Sequence, residues 1–189
     1  MHFFGFICYN ISILSSIVAG LPTNTTALTL NRGALPPTNA ITSGPYPDPP
    51  MRPITIRNFR TPAWASCDHV TFSRHDLQDA MIWGVLLAEA GIGRGQKDRQ
   101  YPRGKYPHVY SYDKFDFAGH CPNTAPRQEF VLMKGGAYNG DPDERDPTYT
   151  KFRVVYFHDR NNPGVATFCG AMWHVAGGGG KFAQCWISP

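Results

Sequence analysis

Residues 73–91 read SRHDLQDAMIWGVLLAEAG, and this stretch decides the fold class. Ser73 suits an N-cap, and Asp76 stands three residues on, where it can complete a capping box. Leu77, Ala80, Met81, Val85 and Leu87 recur at helical spacing until Gly91 ends the pattern. One helix of about five turns is expected. Downstream the period changes to an extended one. EFVLM at 129–133, FRVVYF at 152–157, GVATFCGA at 164–171 and KFAQCW at 181–186 read as strands, separated by turn-forming stretches such as NGDPDERDP and DRNNPG. A single helix followed by consecutive short strands predicts an α+β domain, with the long helix packed on one face of a twisted antiparallel sheet. The other face is then open for a site.

The 189 residues allow one domain of ordinary size with appendages. Residues 1–20, MHFFGFICYNISILSSIVAG, contain no Lys, Arg, Asp or Glu and end in small side chains, the pattern of a secretory signal. Tyr9, Asn10 and Ser12 interrupt the apolar run, which argues against a membrane anchor. Residues 21–62 hold nine of the chain's prolines and show no long apolar periodicity, so a Pro-rich disordered leader or propeptide is expected there. The folded domain is placed at 63–189. Cys8 would leave with the signal, and Cys67, Cys121, Cys169 and Cys185 form an even set suited to two disulfides in an exported protein. Spacing leaves their three possible pairings open. With no C-x2-C or H-x3-H pair, no metal site and no cofactor are expected.

The chain's net charge is +4, and Arg32, Arg52, Arg57 and Arg60 against Asp48 give the 21–62 segment most of it. The remaining domain is nearly neutral but unevenly charged. Arg94, Lys97, Arg99, Arg103 and Lys105 crowd the approach to an aromatic-rich segment at 106–117, where Arg99 and Arg103 are candidates to bind RNA phosphates. Within the predicted strands, Glu129 and Arg153 occupy positions of otherwise apolar segments. There a charge is costly unless it is paired or in use.

The 106–117 segment, YPHVYSYDKFDF, resembles the YPH-x-Y...FDF segment of the small guanyl-specific fungal ribonucleases. The resemblance continues in order along 66–186. Glu129 opens EFVLM as the family's catalytic glutamate opens its strand, Tyr138 follows in a Gly-rich turn, and Arg153 begins RVVY. GVATFCGA is similar to the family's GVITHTGA, and KFAQC to its closing Phe...Cys. The resemblance implies the microbial ribonuclease fold and chemistry on RNA. A glutamate assisted by a histidine takes the 2′-hydroxyl proton, the oxygen attacks phosphorus, and a second histidine protonates the leaving 5′-oxygen to leave a cyclic phosphate. Glu129 would be the base, His108 its partner, Tyr106 and Arg153 phosphate contacts, and Phe182 the aromatic lining the site. Cys67 would pair with Cys185, leaving Cys121 with Cys169.

Two departures follow from the same resemblance. A gap-free count from Tyr156 sets Phe168 where the acid histidine belongs, and phenylalanine cannot donate a proton. The family's base-reading loop is also one residue shorter here, with Tyr110, Tyr112 and Asp113 as the residues nearest a base. The expectation is therefore a secreted, catalytically degenerate ribonuclease-fold protein, similar to the ribonuclease-like effectors of plant-pathogenic fungi. It would be monomeric, extracellular, delivered into host cells, and would bind RNA or a host protein, with no membrane association after signal removal. The alternative is an active endoribonuclease in which His174, six residues past Phe168, supplies a relocated acid.

Overall fold

In the computed structural model, which describes residues 46–59, 64–95, 99–100, 105–111, 115, 117, 121, 126–140, 151–175 and 181–188, the helix α1 spans Arg74–Ala90. Its ends are set by the local chemistry read in the sequence. Ser73 Oγ accepts the Asp76 amide at 3.2 Å, and Asp76 Oδ2 accepts the Ser73 amide at 2.7 Å. Gly91 closes the helix in the left-handed region at φ 65°. The other oxygen of Asp76 accepts the Gly135 amide at 2.8 Å, so the same cap anchors a turn 59 residues away.

The strands in chain order are β1 (Thr55–Arg57), β2 (Ala65–Cys67), β3 (Val70–Phe72), β4 (His108–Val109), β5 (Arg127–Val131), β6 (Phe152–His158), β7 (Val165–His174), β8 (Phe182–Gln184) and β9 (Trp186–Ile187). The main sheet runs β1-β7-β6-β5-β4, with β8 also on β7, and a second small sheet runs β3-β2-β9. All pairings are antiparallel except β1 with β7, which is parallel. The fold is α+β, one helix on one face of an open sheet, as the change of period predicts.

Alternation along the strands divides the sheet into two faces. Phe130, Val154 and Tyr156 turn toward α1 and join its Leu77, Met81, Val85 and Leu87 in the principal core. The approach is close because Gly84 faces the sheet. A Cβ there would lie 2.4 Å from the Tyr156 hydroxyl and 3.1 Å from Phe130 Cβ. Burial pushes the Tyr156 phenol far above its ordinary pKa, with the Glu129 charge adding to the effect, so it stays neutral. On the opposite face a smaller cluster joins Val155, Cys169 and Met172 to Tyr110, Phe117 and Cys121. Both disulfides form. Cys67–Cys185 spans 118 residues and joins β2 of the small sheet to the residue just before β9, and Cys121 is bonded to Cys169 of β7.

The domain boundary is corrected at its start. Residues 46–59, placed by composition in a disordered leader, belong to the folded body. Ile54, Ile56 and Phe59 are each 1–2% exposed within the principal core, and β1 extends the main sheet. Pro47, Pro49, Pro50 and Pro53 lead into a strand of only three residues, so no period was legible. Polar contacts fasten it as well. Arg52 pairs with Glu89 of α1, whose other oxygen accepts the Gly164 amide at 2.9 Å and faces His158 Nε2 at 3.0 Å. Asp48 meets the guanidinium of Arg94 at 2.6 Å, and the Tyr46 hydroxyl donates to the Gly95 carbonyl at 2.9 Å.

Ile56→Ala tests this boundary. A loss of about 2–4 kcal/mol is expected in denaturant unfolding, as for other large-to-small core changes. An unchanged midpoint would return the segment to an unfolded leader.

Candidate active site

The open face of the sheet carries charge where its neighbours are apolar. Glu129 of β5 is 5% exposed and Arg153 of β6 is 2% exposed, and both point away from α1 in the same alternation as Val155. Burying a guanidinium requires that its donors be used. Arg153 Nη1 donates to the Phe152 carbonyl at 2.9 Å, Nη2 donates to the Tyr106 hydroxyl at 2.5 Å, and Nε lies 3.9 Å from Glu129 Oε1. The guanidinium also stands 4.7 Å from the centre of the Tyr106 ring.

The segment holding Tyr106 and His108 is fixed by backbone pairing. The Arg94 amide donates to the Tyr106 carbonyl at 2.7 Å and the Tyr106 amide returns a bond to the Arg94 carbonyl at 2.9 Å; the Tyr106–Pro107 peptide between Tyr106 and β4 is cis. β4 then sets His108 directly across from Glu129. His108 Nδ1 donates to the Val109 carbonyl at 2.9 Å, which leaves Nε2 turned to Glu129 Oε1, also at 2.9 Å. The carboxylate thus sits between an imidazole and a guanidinium.

His174 completes the face. Met172 is registered against Arg153, so two residues further along β7 the His174 side chain emerges on the same side of the sheet. Its ring packs at a tilt of 42° against Phe182 of β8, with centroids 3.9 Å apart. Burial pushes its pKa below the ordinary histidine value, the positive charges of Arg153 and Lys105 push the same way, and Glu129 opposes them. Two imidazoles, a carboxylate and a guanidinium on one sheet face can hold an anion and exchange protons at either end of it.

Phe168 lies elsewhere, which overturns its expected place at the acid position. Its ring is 5% exposed on the helix side of the sheet, paired across from Tyr156 and packed edge-on against Phe59 at 5.2 Å. The cause is a bulge. Val155 pairs with Gly170 whereas Tyr156 pairs with Phe168, so Cys169 is an extra residue in β7. Counting without a gap cannot register that residue, nor the continuation of β7 to His174.

Other expectations divide. Tyr106 and Phe182 are at the site. Tyr110 is 7% exposed, covered by Arg127 at 5.3 Å and packed against Phe117, so it walls the second cluster and its ring is closed to stacking by a base. Arg99 is exposed and has no described contact with the site. Tyr112, Asp113 and Arg103 lie outside the described residues. Arg94, counted in the basic run, is 1% exposed and structural. Beyond its pairing with Asp48, it donates to the Tyr138 carbonyl at 2.9 Å and lies 4.5 Å over the Trp83 ring. Arg127, on the Glu129 side of β5, was missed as a member of this face, and Lys105 lies 5.7 Å over the Tyr106 ring. A run of basic residues gives no sign of which one is buried, as Arg94 is, and which stay exposed, as Arg99 and Lys105 do. Among the described residues no group of His, Cys, Asp and Glu could hold a metal ion.

No protein-family model matches the chain. Guanyl-specific ribonuclease U1 of Ustilago sphaerogena is 37% identical to it over 91 residues, which cover 47% of this chain and 74% of that protein.

Gly170 stands in line with Val155 and Glu129 across the sheet, and Phe117 lies over it. A Cβ there would approach the Phe117 ring to 2.5 Å. Gly170→Ala is expected to overpack this cluster at a cost of about 1–3 kcal/mol, read from denaturant unfolding. A neutral outcome would show that the packing of Phe117 on Gly170 is not tight.

Proposed function

The chain belongs to the microbial guanyl-specific ribonuclease family, and from that membership we propose that it is an exported endoribonuclease that cleaves single-stranded RNA to a 2′,3′-cyclic phosphate. The observation that carries an active enzyme over a degenerate one is the position of His174, packed against Phe182 and on the same side of the sheet as Arg153 and Glu129.

In this reading Glu129 accepts the proton of the ribose 2′-hydroxyl. His108, 2.9 Å away, orients and electrostatically supports the carboxylate. The 2′-oxygen attacks phosphorus, the bond to the 5′-oxygen breaks, and His174 gives its proton to that departing oxygen. Charge accumulating on the phosphorane is met by Arg153, which Tyr106 and the Phe152 carbonyl hold in place before substrate arrives. Solvent exchange then returns a proton to His174 and removes one from Glu129. Export is supported by the charge-free opening residues and by the two disulfides. No helix among the described residues is long and apolar enough to cross a membrane.

The purified protein is expected to cleave single-stranded RNA, and Glu129→Ala or His174→Ala to lose roughly 10² to 10⁴ in rate, the usual worth of a positioned acid or base. Full activity in His174→Ala would remove it from the mechanism, and an inert unaltered protein would overturn the reading. Phe168→His, which sets a polar ring in the core, is expected to cost about 3 kcal/mol or more of stability and to add no activity.

The pH profile carries a sign. An acid must be protonated, and the His174 pKa lies below the ordinary value, so kcat/KM should fall with rising pH through a limb lying below about 6.5. A limb well above that value would assign the acid to another group.

A further inference from the structure

We propose that the cavity beside the turn between β6 and β7, on the helix side of the sheet, is a second anion site that takes a phosphate monoester. His158 alternates with Tyr156 along β6, so it emerges on the face that carries α1, across the sheet from His174. It lines a hollow of about 670 Å³ with Arg52 of the 46–59 segment, Leu86 and Glu89 of α1, and Arg160 and Pro163 of the turn. That volume suits a small ligand.

The polar groups of this cavity are unevenly satisfied. Both oxygens of Glu89 are in use: one pairs with Arg52, and the other accepts the Gly164 amide at 2.9 Å and faces His158 Nε2 at 3.0 Å. A carboxylate only accepts, so Nε2 carries the imidazole proton and Nδ1 is left bare. Nδ1 has no hydrogen-bond partner, although the His158 side chain is only 3% exposed. A buried polar atom without a partner is uncommon, and a ligand that completes it accounts for it. Arg160 forms no ion pair among the described residues, and Arg52 uses only Nη2 on Glu89.

These donors select the ligand. Glu89 is matched by Arg52, and Asp159 turns Oδ1 to the Asn161 amide at 2.9 Å, so Arg160 is the surplus charge of the cavity. Burial, and then the positive charges of Arg160 and Arg52, hold the His158 pKa below its ordinary value, with Asp159 opposing them. An anion seated beside the two guanidinium groups cancels their fields, and Nδ1 then takes up a proton and donates to it. Two guanidinium groups and an imidazolium match the three free oxygens and double charge of a phosphate monoester. A diester within an RNA strand offers two free oxygens and a single charge. A free phosphate anion and the phosphorylated end of a strand both supply the required group.

The test follows the imidazole NMR signals of His108, His158 and His174 while the purified protein is titrated with inorganic phosphate and with two 2′-deoxy dinucleotides that differ only in a 5′-terminal phosphate. Inorganic phosphate and the phosphorylated dinucleotide should shift His158 saturably and raise its titration midpoint by about one pH unit or more. The 5′-hydroxyl dinucleotide should leave His158 in place. Arg160→Gln should weaken the His158 response about 10-fold or more, the scale of a charge-assisted hydrogen bond, with His108 and His174 responding as before; Arg160→Lys should recover part of it. Tighter binding of the phosphorylated dinucleotide assigns the site to strand ends, tighter binding of inorganic phosphate assigns it to the free anion, and either upholds it. An absent His158 response, one unchanged in Arg160→Gln, or one equal for the two dinucleotides overturns the proposal, the last by making the cavity a groove for the strand itself.

Discussion

A guanidinium cannot be buried in a sheet unless the surrounding atoms satisfy it, and Arg153 is 2% exposed in the middle of β6. Much of the open face follows from meeting that demand. Glu129 supplies a carboxylate from β5, Tyr106 supplies a hydroxyl from the segment before β4, and the neighbouring Phe152 carbonyl takes a third contact. Satisfying the arginine therefore draws three separate parts of the chain to one place. His108, registered against Glu129 by β4, joins them without further provision. The stability requirement and the site are the same set of contacts.

Arg94 meets the same requirement in the other half of the molecule. Its partners are Asp48, the Tyr138 carbonyl and the Trp83 ring, so it couples the 46–59 segment to α1 and to the turn after β5. Its backbone pairs with Tyr106. The two buried arginines are thus linked through one tyrosine, whose backbone serves the first and whose hydroxyl serves the second. Packing of the N-terminal segment on the helix is in this way connected to the geometry of the site on the opposite face of the sheet.

The smaller cluster on the open face is held by apolar contact and a covalent bond. Cys121 is bonded to the bulged residue of β7, and Phe117 fills the space left by Gly170. Arg127 covers the Tyr110 and Phe117 rings at 5.3 and 5.6 Å. The bulge matters twice: it turns Cys169 toward the disulfide, and it sends Phe168 into the core.

The helix and its limits were legible in the sequence because capping is local. Ser73, Asp76 and Gly91 act within one turn of the residues they end, and the apolar period between them needs no partner to be read. The strands at 129, 152 and 165 were legible for the same reason, as were Glu129, Arg153, Tyr106 and His108, whose order along the chain carried the resemblance. The sequence also bounded the cysteine pairings to three. Only the tertiary structure decided which side chains of β7 reach the open face, with Phe168 turned into the core and His174 on the side of Met172. That choice depends on one extra residue in β7, and a bulge is a property of two paired strands that neither strand's sequence announces. It also decided that Arg94 is a core residue while Lys105 stays exposed over the Tyr106 ring, and that β1 belongs to the fold. Burial of a charge and pairing of a three-residue strand both depend on groups distant in the chain, and local pattern carries no information about them.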